Sequence, residues 1–527
     1  MAFRDTLIAR RLTALLAVAG MTLSLAACAA SSSDGDAAGD AGATSTGNVA
    51  IFTPSDGVTL SGDTPTNKWT AFVPSLTAAL KQAGIAKKRI STTSSDSLDK
   101  QSRDVQDYVV DHVSATASSS DNAATTIVIA PVTDPDDTVR QYGDYVDQQV
   151  ASSSAGNAES GSDDDQTLQD AAARLKSALT LARENGMHVV MLSGTLSGFR
   201  PDVYVRMSTA EEIGRIQASK LVDKLELSKA STDNPKNIEI LLPCTPASGT
   251  DKTDAMTDDG DACADGSGAT FAAEAFRGAW SVLQPYFRSG QAVSPSGSLD
   301  KATGSGDWQT VAFASGKDDT VAAELRDRLG ADDKGKPSTH TRIDGIIAMN
   351  DHTAALVAKE LDDLGYTGSA ADINPSITIS GIVENITGKK DLQRDKVPDP
   401  IKAPDEQTGS GATDDDKRKA ADETNARWPI VTGYGAYVDS MPLIVAGQQW
   451  MTALEDRMTL AQHTATVCLN LNAGKAVNRN TLSFVSPGKV DGVSVPTVGA
   501  ELIAVSASNL KAALIDPGYI TPADAGL

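Results

Sequence analysis

The side chains best suited to chemistry are few and dispersed. Five histidines (His112, His188, His340, His352 and His463) and four cysteines occur in 527 residues, with neither H-E-x-x-H nor C-x-x-C spacing. No metal centre is therefore expected, because structural and catalytic zinc sites draw on such clusters. The chain has no G-x-S-x-G turn to expose a nucleophile and no G-x-x-x-x-G-K-[ST] loop to cradle phosphates. Gly433-Tyr434-Gly435 opens like a dinucleotide fingerprint, but Val438 stands where the third glycine is required. The acid runs Asp163-Asp164-Asp165 and Asp414-Asp415-Asp416 lack the alternating ligands of a calcium loop and read as solvated loop. Paired carboxylates for glycoside hydrolysis can meet in space alone, yet nothing in the spacing points to them. The expectation is binding without turnover and without a cofactor.

The elements that must position a binding site follow from the wider pattern. The chain carries 46 Lys and Arg against 69 Asp and Glu, a formal charge of -23. That balance argues against nucleic acid, whose phosphates need clustered basic residues. Short apolar runs alternate with amphipathic segments, the signature of parallel α/β sheets. Val49–Phe52, Thr126–Ala130, Val189–Leu192, Ile238–Leu242, Thr310–Phe313, Ile343–Ala348 and Ile377–Gly381 read as strands. Helices are expected after Trp69, over Ala171–Glu184, around Ile213–Leu221, and over Phe271–Phe287, Thr320–Leu329 and Thr353–Leu364. Two runs of such units predict two doubly wound lobes, although counting alone does not separate them from a barrel. Polar insertions at Ser152–Asp165, between Cys244 and Cys263, and at Asp391–Asn425 read as surface loops.

The N-terminus reads as an address. Arg4, Arg10 and Arg11 precede the apolar stretch Leu12–Leu23, which ends in Leu25-Ala26-Ala27-Cys28. This resembles the lipobox of bacterial lipoproteins, which implies cleavage after residue 27, lipidation of Cys28 and an extracytoplasmic protein anchored to the cell membrane. An uncleaved membrane helix is the competing reading, and the apolar run is short for one. Residues 28–47, rich in Ser, Ala, Gly and Asp, form a tether with too little apolar surface to fold. Outside the cytoplasm Cys244 and Cys263 are free to pair, which sequence alone leaves open. Cys468 reads as a small buried hydrophobe.

Several stretches, in order, resemble type I periplasmic binding proteins, and most of all the xylose- and related sugar-binding proteins of ABC importers. They are Glu184–Val190, Asp202–Val205, Phe276-Arg277-Gly278, Ile343–Leu364 around Asn350-Asp351, and Ser508-Asn509-Leu510 through Tyr519. The resemblance implies two α/β lobes with a hinge, closing on a sugar between the loops beyond the strand ends. It implies an ABC permease as partner and a monomeric receptor. The lobes would hold residues 48–206 plus 434–456, and 207–433 plus 457–527.

By the same resemblance Arg277 reaches into the cleft from a helix start, and Asn350 and Asp351 bind adjacent hydroxyls. The competing roles are a surface arginine and a helix N-cap, the cap falling more naturally to Asp351. Asp56, Lys68 and Trp69 follow the first strand, Thr133 and Asp134 the second, and Trp308 or Phe313 would stack on a sugar face. Departures from the family pattern are Ser193-Gly194, Ser208-Thr209 and Ile382-Val383, where relatives carry acidic or amide pairs. Glu384 stands just beyond the last, and Arg200 or Arg206 are candidate substitutes. These losses loosen the pentose assignment and motivate an alternative, a sensory or surface-interaction lipoprotein with the same fold and a degenerate site.

Overall fold

Alternation along the strands decides the architecture. In a computed structural model that describes residues 47–56, 64–118, 124–133, 135, 137–146, 149–150, 163–246, 263, 267–331, 337, 339–371 and 413–527, Val49 and Ile51 face one apolar cluster and Ala50 and Phe52 another. Val128 and Val190 join the first, while Ile127, Ile129, Val189 and Met191 join the second. A sheet buried on both faces needs apolar residues at every position, which is why these strands are continuous Val/Ile runs. Helices Trp69–Gln82 and Arg457–Asn472 cover one face, and Leu98–Ser118 with Asp163–Glu184 cover the other.

Among the described residues this first sheet has seven strands in the spatial order Val485–Val490, Val493–Val498, Val203–Val205, His188–Leu192, Thr125–Ile129, Asn48–Pro54, Ile90–Ser95. All its pairings are parallel except the hairpin at 485–498. The second sheet runs Ala292–Val293, Lys236–Ile240, Gly345–Ile347, Ile430–Thr432, Met451–Leu454, Ile503–Ser506, antiparallel at the last pair alone. Two doubly wound lobes result, as the sequence predicts.

The lobe boundaries need correction. Residues 434–456 do not return to the first lobe, because Met451–Leu454 pairs inside the second sheet. The return begins at Arg457: that helix packs on Trp69–Gln82, and the hairpin 485–498 extends the first sheet. Among the described residues three segments pass between the sheets, at 206–209, 455–456 and 499–502.

Both acid runs also differ from expectation. Asp163–Asp165 opens the helix Asp163–Glu184, and Asp414–Asp416 opens Asp414–Asn425, capped by Thr413. Acidic residues are favoured in the first turn of a helix, at the positive end of its dipole, so both runs are helix starts rather than loop. Cys244 and Cys263 form a disulfide, and Cys468 is free and buried, its thiol pushed up to about 12 by burial. The expected strand Ile377–Gly381 and Glu384 lie outside the described residues, as do Cys28, the signal segment and all of the tether except Gly47.

Candidate functional site

The loops beyond the carboxyl ends of the first-lobe strands enclose a cavity of about 570 Å³, within the range of small-molecule sites. Ser55 and Asp56 follow the strand Asn48–Pro54, Asp96 and Ser97 follow Ile90–Ser95, and Val132 and Thr133 follow Thr125–Ile129. Lys68, Trp69, Asp137, Arg140, Gln141 and Asp144 complete the first-lobe wall. Tyr437 is the one residue lining it from the second lobe among those described.

Its polar floor is built on a helix start. Helix Trp69–Gln82 has no side-chain cap of its own. The Trp69 amide donates to Asp144 Oδ2 at 3.2 Å, and the Thr70 amide to Asp56 Oδ2 at 2.7 Å. Lys68 Nζ donates to Asp144 Oδ1 at 3.3 Å. Burial pushes the Asp144 carboxyl up to about 7, opposed by Lys68 and reinforced by Asp56, which stands in hydrogen-bonding range. Burial beside a second carboxyl disfavours the ionised form, so Asp144 keeps its proton to higher pH than an ordinary aspartate. The Asp56 Oδ1 atom is buried and meets no donor.

Asp144 sits in a strap, residues 137–146, laid between the lobes. Gly143 allows it: the residue has φ +97°, and a β-carbon there would come within 2.7 Å of Asn67. On one side Tyr145 donates its hydroxyl to the Lys68 carbonyl and packs edge-on to Trp69 and Phe72. On the other, Val139, Tyr142 and Val146 join the apolar cluster of the second lobe, where the Tyr142 ring lies 4.4 Å from that of Phe271. Polar clasps fix the strap: Tyr437 Oη donates to the Gln141 carbonyl at 2.7 Å, and Asn350 Nδ2 to Gln141 Oε1 at 2.9 Å.

The candidate residues therefore divide. Asp56, Lys68, Trp69 and Thr133 come together at the cavity, while Asp134 lies outside the described residues. Trp69 is nearly all core, with 3% of its surface exposed. Asn350 is the N-cap, accepting the Thr353 amide at 2.8 Å, so the cap is not Asp351. Asp351 is fully buried and accepts from Gln449 Nε2, Thr452 Oγ1 and the Tyr437 amide, at 2.6, 2.7 and 3.0 Å. Burial pushes its carboxyl up to about 6. Neither residue lines the cavity.

Arg277 does not enter a cleft from a helix start. It sits mid-helix in Ser267–Ser289, exposed, beside Glu274 at 3.2 Å and Glu211 at 3.7 Å. Its motif is explained by packing instead, since Phe276 is core and Gly278 lets two helices touch. Phe313 is core, and Trp308 packs against the second-lobe cluster. Arg200 and Arg206 are engaged elsewhere, with the Ser494 carbonyl and Glu212. Ser193 and Ser208 are structural: Ser193 Oγ donates to the Tyr145 carbonyl at 2.8 Å, and Ser208 Oγ lies 2.6 Å from Tyr434 Oη.

Sequence reasoning missed Asp144, Gln141 and Tyr437. The available signal was the cluster Gln141-Tyr142-Gly143-Asp144-Tyr145, two aromatics flanking a glycine in otherwise polar sequence.

No known protein-family profile matches the sequence. A stretch of 96 residues, 18% of the chain, is 40% identical to a multiple sugar-binding periplasmic protein of Azospirillum brasilense and spans about a quarter (26%) of that protein. Similar solved structures include an ABC transporter solute-binding protein from Clostridium phytofermentans with bound β-D-glucose, at 18% identity and TM-score 0.45, covering 90% of this chain and 99% of that one. A carbohydrate transporter solute-binding protein from Chloroflexus aurantiacus, in complex with D-glucose, has 19% identity and TM-score 0.44 over 90% and 97%. A periplasmic ribose ABC transporter protein from Conexibacter woesei has 12% identity and TM-score 0.42 over 89% and 96%.

Proposed function

We propose that the chain is a solute receptor of the two-lobed α/β class, one that captures its ligand without transforming it. More particularly, it is a carbohydrate-binding protein, held at the outer face of the cell membrane through a lipid on Cys28 and delivering its ligand, as a monomer, to an ABC permease. The observation that carries this reading is the cavity itself. It lies beyond the carboxyl ends of parallel strands, where open α/β sheets bind ligands. Its lining mixes charged, amide and hydroxyl side chains with the rings of Trp69 and Tyr437, which suits hydroxyls on an apolar ring skeleton. The local identity with a multiple sugar-binding protein supports the same choice.

A thermal-shift screen of the purified protein against mono- and oligosaccharides tests it. A ligand at 100 times its Kd should stabilise by about 2.7 kcal/mol. The second reading, a sensory or surface-interaction lipoprotein with a degenerate site, is favoured by Val139, Tyr142 and Val146, which tie the strap beside the cavity into the apolar core of the second lobe. A flat response across the panel selects it.

A further inference from the structure

Donors and acceptors do not balance at the floor of the cavity. Among the described residues, the four carboxylate oxygens of Asp56 and Asp144 meet two backbone amides and one ammonium, that of Lys68. Asp56 Oδ1 is left with no donor although it is buried. A buried acceptor without a partner is costly, and a ligand that brings a donor recovers that cost. A sugar hydroxyl supplies the donor but no positive charge, so Asp144 must then keep its proton or leave two carboxylates facing one ammonium. The described rim adds Asp96 and Asp137 against Arg140, so it does not offset the excess.

We infer that the cavity selects a polyhydroxylated ligand carrying an ammonium group, an amino sugar rather than a neutral one, with the ammonium seated on the Asp56–Asp144 pair. The inference rests on the carbohydrate reading above and narrows it. An ammonium satisfies the orphaned oxygen and the charge together, and a charge-assisted hydrogen bond is about twice as strong as a neutral one. It also takes the place of the proton that Asp144 otherwise keeps. The titratable groups around Asp144 are Asp56 and Lys68, both in direct contact with it, and the phenol of the adjacent Tyr145, which burial keeps neutral.

Calorimetric titration with matched sugars tests the inference: D-glucose with D-glucosamine, and D-galactose with D-galactosamine. At pH 7 the amino sugar of at least one pair should bind about tenfold more tightly than its neutral partner, equivalent to about 1.4 kcal/mol. That preference should shrink at pH 5.5, well below the raised value of Asp144, where its proton is harder to displace than at pH 7, and should vanish in Asp56→Asn, which retains the acceptor for the Thr70 amide. Neutral sugars binding as tightly as amino sugars in the unaltered protein would overturn the inference and leave the carbohydrate reading standing. A preference that survives Asp56→Asn and is insensitive to pH would also overturn it. Binding by none of the four sugars would overturn the inference and count against the reading beneath it.

Discussion

A buried carboxyl at the crossing between the lobes sets the pH response. Glu455 follows the strand Met451–Leu454, is 1% exposed, and has an Oε1 that meets no donor. Burial pushes its carboxyl up to about 8, with the Ser208 hydroxyl and Arg206 opposing and Glu212 reinforcing. The folded protein then holds a proton that the unfolded chain releases near the ordinary glutamate range. Between those two values the unfolded state binds fewer protons, so stability falls as pH rises. Asp144 and Asp351 are raised in the same sense. We expect the melting temperature to be higher at pH 5.5 than at pH 8, and Glu455→Gln to weaken that dependence, both readable by calorimetry. Arg277→Ala, by contrast, should leave sugar binding unchanged and stability within about 0.5 kcal/mol, as for other exposed positions. Residue types told part of this story in advance. Asp56 was legible because it closely follows an obvious strand, and Lys68 because Lys68-Trp69 resembles a family motif, whereas the state of Glu455 depends on neighbours hundreds of positions away in the sequence.

Helices 210–224 and 267–289 meet through a reciprocal pair of glycines. A β-carbon on Gly214 would lie 1.9 Å from the Ala275 carbonyl oxygen, and one on Gly278 at 1.9 Å from that of Glu211. Gly278→Ala must therefore push the helices apart and should destabilise by about 1–3 kcal/mol in chemical denaturation, the usual cost of overpacking. Reducing the Cys244–Cys263 bond should lower stability by about 3 kcal/mol, since it opens a loop spanning 19 positions. The parallel strands were readable because burial on both faces leaves continuous Val/Ile runs. The hairpin at 485–498 was not, since Pro487, Gly488 and Pro496 interrupt any period and its outer residues face solvent. The acid runs misled for a related reason: the same three aspartates suit a loop or a helix start, and only the helix that follows decides.

The whole molecule is a pair of lobes with a strap between them, and that strap was invisible in the sequence. Residues 137–146 contribute apolar side chains to the second lobe and carboxylates to the cavity, a division fixed by which way each side chain turns at the interface. Because Tyr437 and Asn350 clasp Gln141, Tyr437→Phe should loosen the join between the lobes. Small-angle scattering would report this as a larger radius of gyration in the absence of sugar, and sugar would reverse it. The most direct measurement of the central claim is a diffraction map from crystals grown with the sugar that most raises the melting temperature. Sugar density is expected against Lys68, Asp56 and Asp144, beneath Tyr437. Density at the Arg277 surface instead, or an empty cavity with the sugar bound elsewhere, would contradict it.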